Sequence, residues 1–367
     1  MDVQVSERIF THADVRKGFN IGNDPEKIGE YTKHQGIIDS FLSNPNIVDE
    51  NEQLLFLEYL DEDVCGRMFY FPTKIKIGDK IENSLGASSL YVSEKARDYS
   101  VGANLMMYPI KNKYKNYLLY AGVSKIAEPL YHKLLKFEWF DIPCMWQPRT
   151  SKFLFQTVGI KGVSLNILTN VTNLLLKPII WYGRIMMKIN NTGLKIEKLD
   201  IVPQWVEDIV LSDKHKYAEY HDKKWFEWVV GNNFFHQKYD TQGLYGVFKY
   251  NKPVGFFLIK ERNVRIPEKN IDSVVFGSVI EWGTIDDSVL SEFQINKLAA
   301  LQYTKHVDIV QVISTNKHVL SKIKKYMFFR RGNANIVFRD LTKSLDKDYK
   351  DINNWRIRVG YSDVPFY

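Results

Sequence analysis

The residues from 91 to 103, YVSEKARDYSVGA, contain the groups best suited to bind an anion. A short apolar strand is predicted to end at Val92, and a helix is predicted to begin near Gly102 and Ala103. The first N–H groups of a helix have no intrahelical acceptor, and the helix dipole is positive at that end. These donors suit a phosphate or pyrophosphate, and Arg97 would add a cationic fork for the same anion. An ordinary helix start with an exposed arginine gives the same pattern.

A second strand and helix follow this segment. Residues 116–123, NYLLYAGV, are typical of a buried strand because aromatic and aliphatic side chains dominate them. Ser124 stands at a helix N-cap position, and residues 125–137 are predicted to be helical. Four apolar side chains recur there at helical spacing and predict its buried stripe: Ile126, Leu130, Leu134 and Phe137.

The bulk composition excludes several classes of protein. The chain has 367 residues, with 50 Lys and Arg against 43 Asp and Glu, and the resulting charge of +7 slightly favours an anionic ligand without indicating nucleic acid. The cysteines, Cys65 and Cys144, fit no metal-ligand spacing, so neither a metal site nor a disulfide is expected. The first thirty residues contain no apolar export segment. A reduced, cytoplasmic location is the expectation.

The most apolar passage runs from residue 160 to 187. Polar residues such as Asn166, Asn170 and Arg184 interrupt it, so a transmembrane segment is not expected. Its leucines and isoleucines nevertheless predict a helix with an apolar face. We expect this helix to pack between two domains; a partner surface or a membrane surface is the alternative.

The chain divides around that passage, and the order of predicted elements repeats. We predict an N-terminal domain over residues 1–160, a helical connector over 161–193 and a C-terminal domain over 194–367. Both domains contain a hairpin followed by strand, helix, strand, helix and strand. In the second copy the predicted strands cover 244–250, 254–260, 274–282, 307–313 and 334–339, and the predicted helices cover 206–214, 223–230, 291–303 and 316–326.

This order of elements resembles the GCN5-related N-acetyltransferase (GNAT) superfamily. The family's acetyl-CoA motif, Val-x-Pro-x-x-Arg-Gly-x-Gly-x-Gly-Ala, is matched by Val92, Arg97 and residues 101–103, whereas Asp98 and Ser100 stand where the family usually has glycine. A second family motif is Asn-x-x-Ala-x-x-x-Tyr-x-Lys-x-Gly-Phe. It is echoed by Ser124 in place of the asparagine and by Ala127, Tyr131, Lys133 and Phe137.

The resemblance implies an α+β fold of two GNAT-like domains, each a mixed twisted sheet flanked by helices. It implies transfer of an acetyl or other acyl group from acyl-CoA to a small-molecule amine, with Tyr131 as the general acid and a backbone N–H of the fourth strand on the oxyanion. No metal and no nucleic-acid partner is implied. The cofactor-binding residues carried over are Leu90, Tyr91, Val92, Arg97, Asp98, Tyr99, Ser100, Val101, Gly102, Ala103, Ser124 and Ala127.

The second copy lacks the phosphate turn, because the acidic segment 283–287 follows its predicted strand 274–282. We expect it to complete the acceptor pocket or to hold a homodimer. Two alternatives stay open: a non-catalytic protein with both copies degenerate, and an aminoacyl-tRNA-dependent transferase like the FemABX enzymes. The general base is not identified. Its candidates are Glu94, Glu281 and the isolated histidines His132, His215, His221 and His236.

Overall fold

Alternating and continuous apolar runs in this chain form strands, and helices cover both faces of the resulting sheet. The computed structural model describes residues 4–26, 28, 35–112, 114–188, 193–231, 242–266, 271–303 and 307–360. His236 lies outside these ranges. The described strands are β1 Val5–Thr11, β2 Gln53–Leu60, β3 Asp63–Ile77, β4 Lys80–Val92, β5 Tyr117–Ala121, β6 Glu138–Pro148, β7 Leu194–Leu199, β8 Tyr217–Glu219, β9 Gly243–Lys249, β10 Lys252–Ile266, β11 Ile271–Thr284, β12 Ile309–Ile313, β13 Phe329–Asp340 and β14 Trp355–Arg356.

The helices lie between these strands. The described α-helices are α1 His12–Lys17, α2 Gln35–Leu42, α3 Val101–Lys111, α4 Lys152–Thr157, α5 Gly162–Lys188, α6 Gln204–Leu211, α7 Lys223–Gly231, α8 Glu292–Gln302 and α9 Lys317–Ile323. Helix α8 begins with a capping box, in which Ser291 and Gln294 satisfy each other's backbone N–H groups. The hairpin between β9 and β10 turns at Tyr250 and Asn251, whose φ angles of 52° and 61° are those of a type I′ turn.

The described strands form one continuous mixed sheet. Its order is β1-β2-β3-β4-β5-β13-β6-β12-β11-β10-β9-β7, and the short strands β8 and β14 attach to β3. Strand β4 runs parallel to β5, and β11 runs parallel to β12. The expected α+β fold, a mixed sheet flanked by helices, is confirmed. The two expected sheets, however, are joined into one.

The join is a reciprocal exchange of strands between the two halves of the chain. Strand β13, from the C-terminal half, pairs with β5 through Ile336 and Ala121. Strand β6, from the N-terminal half, pairs with β12 through Cys144 and Ile313. The exchanged strands also pair with each other. Each half therefore completes its sheet with a strand that belongs to the other half. The boundaries at residues 160 and 194 stay a prediction.

Separate apolar clusters are buried between the sheet and its helices in the two halves of the chain. Helix α3 and residues 129–137 cover one face of the N-terminal half, where Leu105, Leu135 and Phe137 are buried. Helices α8 and α9 cover the corresponding face of the C-terminal half. Helix α5 contacts both α4 and α8, and its role as a connector between two domains stays a prediction.

Candidate active site

The candidate site lies where β4 and β5 separate. The two strands pair in parallel only at Ser84 with Tyr117 and at Leu85 with Leu118. Beyond these pairs β4 continues to Val92 and diverges from β5. A cavity of about 400 Å³ occupies the space between their ends. The open edge of β4 thus presents backbone groups to whatever enters the cavity.

A β-bulge shapes the wall of this cavity that β4 contributes. Phe69 pairs with Ser88 and Arg67 pairs with Tyr91, so two residues of β4, Ser89 and Leu90, stand opposite one residue of β3. Ser89 has a φ of 57°, a left-handed conformation that is uncommon for a residue other than glycine. Such bulges occur next to active sites because they redirect backbone and side-chain groups. The sequence analysis missed this feature, whose only signal is a pair of serines in an apolar strand.

The opposite wall begins at Ser124, which caps the turn that follows β5. Its hydroxyl accepts a hydrogen bond from the N–H of Ile126 at 3.4 Å. The predicted continuous helix over 125–137 is wrong, because the chain forms a 3₁₀ turn over Lys125–Ala127 and a π-helical turn over Pro129–Leu134. The wider π turn rotates the buried face. Tyr131 and Leu135 are therefore buried with Phe137, whereas the predicted stripe residues Ile126 and Leu134 are 92% and 64% exposed.

Tyr131 belongs to a buried cluster of phenols. Its ring packs edge-on against Phe137 at 5.3 Å and against Tyr120 at 6.2 Å, measured between ring centroids. Tyr70 lies beside them and donates its hydroxyl to the carbonyl of Leu105 at 2.6 Å. Burial and the neighbouring phenols of Tyr120 and Tyr131 hold the pKa of Tyr70 well above its ordinary value. Burial likewise raises the pKa of Tyr120 well above its ordinary value, so Tyr70 and Tyr120 stay protonated beside Tyr131. A protonated phenol can donate a hydrogen bond or a proton.

The segment predicted to bind phosphate leads into a helix, α3, as required, but the chain between β4 and that helix forms more than a simple turn. A 3₁₀ turn over Glu94–Tyr99 follows β4, and Ser100 occupies the N-cap of α3 with a φ of 61°. The side chain of Ser100 makes no capping hydrogen bond, so the first N–H groups of α3 have no cap from that side chain. Arg97 is exposed, and its Nη1 lies 3.5 Å from the carboxylate of Glu94. Asp98 is exposed and does not occupy the N-cap.

The structure brings only some of the predicted site residues together. Leu90, Ser124, Ala127 and Tyr131 line the cavity. The others lie outside its lining, on the end of β4 or at the start of α3: Tyr91, Val92, Arg97, Asp98, Tyr99, Ser100, Val101, Gly102 and Ala103. Of this group Val101 is fully buried, and Tyr91 packs its ring under the guanidinium of Arg67. Contacts of any of these residues with a cofactor stay a prediction.

The charged lining of the cavity comes from the other half of the chain. Arg262, on β10, lines it and donates a hydrogen bond to Gln311 at 3.1 Å. Among the described lining residues there is no carboxylate and no imidazole. The candidate bases are elsewhere: Glu94 is at the surface, and Glu281 is fully buried on β11. His221 contacts Glu281 at 2.7 Å, and His215 contacts Asp213 at 2.6 Å.

A second cavity occupies the equivalent place in the C-terminal half, where β11 and β12 diverge. Its volume is about 770 Å³. Its lining includes the acidic segment 284–287, the start of α8 at Glu292, and Asn316, which caps α9. Arg358 lies in the same lining, above the ring of Trp282 at 3.5 Å. The acidic side chains of this segment would repel a pyrophosphate, and the absence of cofactor binding from the second copy stays a prediction. Within the part of the chain that the structure describes, no group of His, Cys, Asp and Glu could hold a metal ion.

Comparison with known proteins identifies the fold. No protein-family model and no curated protein matches the sequence. N-myristoyltransferase from Saccharomyces cerevisiae, solved with bound myristoyl-CoA, is similar in structure over 92% of this chain and 82% of its own, with 12% identity and a TM-score of 0.54. A GCN5-related N-acetyltransferase from Anabaena variabilis aligns over 92% of this chain and 73% of its own, with 12% identity and a TM-score of 0.53.

A third structure, an Enterococcus faecalis protein described as a probable N-acyltransferase, aligns over 93% of this chain and 73% of its own, with 9% identity and a TM-score of 0.54. At such identities a similarity speaks to the fold alone. The alignments nevertheless extend over nearly the whole chain, across both halves and the exchanged strands. The chain has the fold of the GNAT superfamily.

Proposed function

We propose that this protein is an acyl-CoA-dependent N-acyltransferase that moves an acetyl or longer acyl group from CoA to an amine. The observation that carries the proposal is the cavity between the diverging ends of β4 and β5, which combines a β-bulge at Ser89 with the buried phenol of Tyr131. The similar structures support it, because one contains myristoyl-CoA and another is a GCN5-related N-acetyltransferase.

The donor would bind along the N-terminal half. Its pyrophosphate would accept hydrogen bonds from the first N–H groups of α3 and from Arg97, which is 64% exposed and free to turn from Glu94 toward an anion. The pantetheine arm would run along the open edge of β4 and hydrogen-bond to its backbone as an added strand does. This path would deliver the thioester to the bulge at Ser89 and Leu90.

The reaction is a direct transfer. The nitrogen of the neutral amine attacks the thioester carbonyl, and a backbone N–H of the bulge stabilises the oxygen as negative charge develops on it. The C–S bond then breaks, and the hydroxyl of Tyr131 protonates the departing thiolate. The proton of the amine nitrogen leaves to water, because no described residue of the cavity lining is a carboxylate or an imidazole. Water then returns one proton to the phenolate of Tyr131, which restores the enzyme for the next turnover.

The C-terminal half would complete the acceptor side of the site. Arg262 reaches the cavity from β10, so the acceptor meets a cation from the second half next to the thioester. A guanidinium there favours an acceptor that carries a carboxylate or another anionic group beside its amine. The exchanged strands β6 and β13 hold the two halves in register for this purpose.

Ligand binding tests the donor. Thermal unfolding is measured with acetyl-CoA, with acyl-CoAs of increasing chain length and with free CoA. A ligand at about 100 times its dissociation constant should stabilise the protein by about 2.7 kcal/mol. The preferred chain length identifies the acyl group, and thiol release with a panel of amines identifies the acceptor. The absence of any shift at millimolar acyl-CoA would favour a non-catalytic protein, and acylation only from an aminoacyl-tRNA would favour the tRNA-dependent alternative.

A matched pair of arginine variants tests the pyrophosphate site. Arg97→Ala should weaken acyl-CoA binding by about 10-fold, because a charge-assisted hydrogen bond contributes about 1.5 kcal/mol. Arg16→Ala is the control, since Arg16 is also exposed and also pairs with one glutamate, Glu50, but lies outside the proposed site. Equal affinities for the two variants would contradict the placement of the pyrophosphate.

A further inference from the structure

Helix α5 presents large apolar side chains to the solvent. Six side chains at helical spacing form what we call the outer face: Val163, Ile167, Val171, Leu174, Trp181 and Tyr182. All six are exposed, by 55% to 74% of their surface. A surface helix ordinarily directs such residues toward the core. Here the side that faces the protein includes Thr169 and Asn173 instead, next to the buried Leu165.

The inner face is held by hydrogen bonds, so the orientation of the helix is fixed. The side-chain oxygen of Asn173 accepts from the N–H of Ser151 at 2.7 Å and from its hydroxyl at 3.0 Å. These bonds anchor the middle of α5 to the start of α4. Turning the apolar side inward would break these bonds and leave the N–H and hydroxyl of the buried Ser151 without their acceptor, so the outer face stays exposed to solvent.

The charged residues of α5 and of the sequence that flanks it have one sign. Between Asp141 and Glu197 the sequence contains no acidic residue and seven basic ones: Arg149, Lys152, Lys161, Lys177, Arg184, Lys188 and Lys195. The structure describes the positions of Lys161 and Lys177. Lys177 is exposed on α5, and Lys161 is exposed immediately before the first residue of α5. An apolar face flanked by cations, with Trp and Tyr among its members, is typical of helices that lie in the plane of a membrane interface.

We infer that the outer face of α5 binds the surface of an anionic lipid bilayer. The helix has 27 residues and is therefore about 40 Å long, so its outer face can lie along a planar surface over many residues. No helix in the described part of the chain is long and apolar enough to span a membrane. A second copy of this chain would fit poorly, because pairing two such faces brings like charges together with no acidic partner on the helix. This inference is independent of the proposed acyl transfer.

Vesicle flotation with the full chain tests the inference. We expect the protein to float with vesicles of phosphatidylcholine and phosphatidylglycerol at 3:1, to bind pure phosphatidylcholine much more weakly, and to dissociate as salt is raised. The double variant Ile167→Gln/Leu174→Gln should bind at least 10-fold more weakly. Lys161→Gln and Lys177→Gln should each weaken binding about fivefold, since each cation near such a surface contributes about 1 kcal/mol.

The control is Val48→Gln/Ile201→Gln, which removes two aliphatic side chains that are even more exposed, at 87% and 80%, but lie elsewhere. It should bind vesicles like the wild type, and both double variants should keep the wild-type melting temperature because only exposed positions change. No flotation with the anionic vesicles at low salt would overturn the inference, as would unchanged binding by the Ile167/Leu174 variant. A dimer in solution that this variant dissolves would assign the face to a second copy instead.

Discussion

Nδ1 of His221 lies 2.7 Å from a carboxylate oxygen of Glu281, and both side chains are completely buried. The other oxygen of Glu281 accepts a hydrogen bond from Arg356, also at 2.7 Å. Burial opposes charge on the imidazole, but hydrogen bonds to Glu219 and Glu281 outweigh it and raise the pKa of His221. Burial likewise opposes charge on Glu281, but Arg356 and His221 lower its pKa. Glu281 is thus a structural anion, which removes it as a candidate base.

We predict that Glu281→Gln destabilises the protein by about 3–5 kcal/mol, because it removes the carboxylate nearest to the buried cations of His221 and Arg356 and leaves them only Glu219 and Asp213, respectively. The measurement is the midpoint of urea unfolding. Lys223→Ala is the control: it removes an exposed pair with Glu227 and should cost less than about 1 kcal/mol. A loss below 1 kcal/mol for Glu281→Gln would show that the network is not charged in the folded protein.

The same network predicts the direction of a pH dependence. A histidine with a raised pKa contributes stability that is present below its ordinary pKa of 6.5 and is lost as pH rises through the folded value. A carboxylate with a lowered pKa contributes stability that is present above 4.5 and is lost as pH falls. The contribution of His221 and Glu281 is therefore greatest between these two values. The measurement is the free energy of unfolding of the wild type and of His221→Gln across pH 4–8. We expect the difference between these two free energies to shrink above pH 6.5.

The pKa of Glu58 is shifted in the opposite direction to that of Glu281, so the two residues should change stability with pH in opposite directions. Glu58 is buried on β2, and burial together with repulsion from Glu7 raises its pKa from 4.5 to about 7. The stability associated with its protonated form is present below 4.5 and is lost as pH rises through 7. Glu58→Gln keeps the neutral form, so we expect it to stabilise the protein by about 2–3 kcal/mol at pH 8 and by little at pH 5. Glu82→Gln, exposed on β4, should show no such pH dependence; a parallel profile for the two variants would contradict the prediction.

Tyr131→Phe tests the general acid. The variant keeps the ring contacts with Tyr120 and Phe137, so the melting temperature should change little. The thiolate would lose its proton donor, and kcat should fall by about 10²–10⁴ with acyl-CoA affinity nearly unchanged. Tyr120→Phe is the matched control, since Tyr120 lines the same cavity from β5. Full turnover by Tyr131→Phe would disprove the acid role while leaving the donor site intact.

The exchange of β6 and β13 predicts that neither half folds alone. A fragment of residues 1–160 would leave β5 without β13, and a fragment of residues 194–367 would leave β12 without β6. Exposed strand edges of this kind promote aggregation. We expect each fragment to be insoluble on expression and the two to recover a soluble complex when expressed together. A monomeric, cooperatively unfolding 1–160 fragment would contradict this prediction and would support two independent domains.

The order of elements could be predicted from the sequence because each signal is local. Apolar runs bounded by turn residues located β5, β9 and β11 within a few positions, and Ser291 located the start of α8. The cap at Ser124 and the helix start near Gly102 were found in the same way. Local hydrogen bonding decides these features, so the neighbouring residues are enough to determine them.

The exchange of strands, the bulge at Ser89 and the π turn around Tyr131 were decided only by the tertiary structure. Each depends on a partner distant in the chain: β13 lies more than 200 residues from β5, and Arg262 reaches a cavity made by the N-terminal half. The π turn trades regular helical hydrogen bonds for burial of Tyr131, Leu135 and Phe137 against the sheet. Packing free energy outweighs local helical preference there, and no local pattern records which surface will be present to pack against.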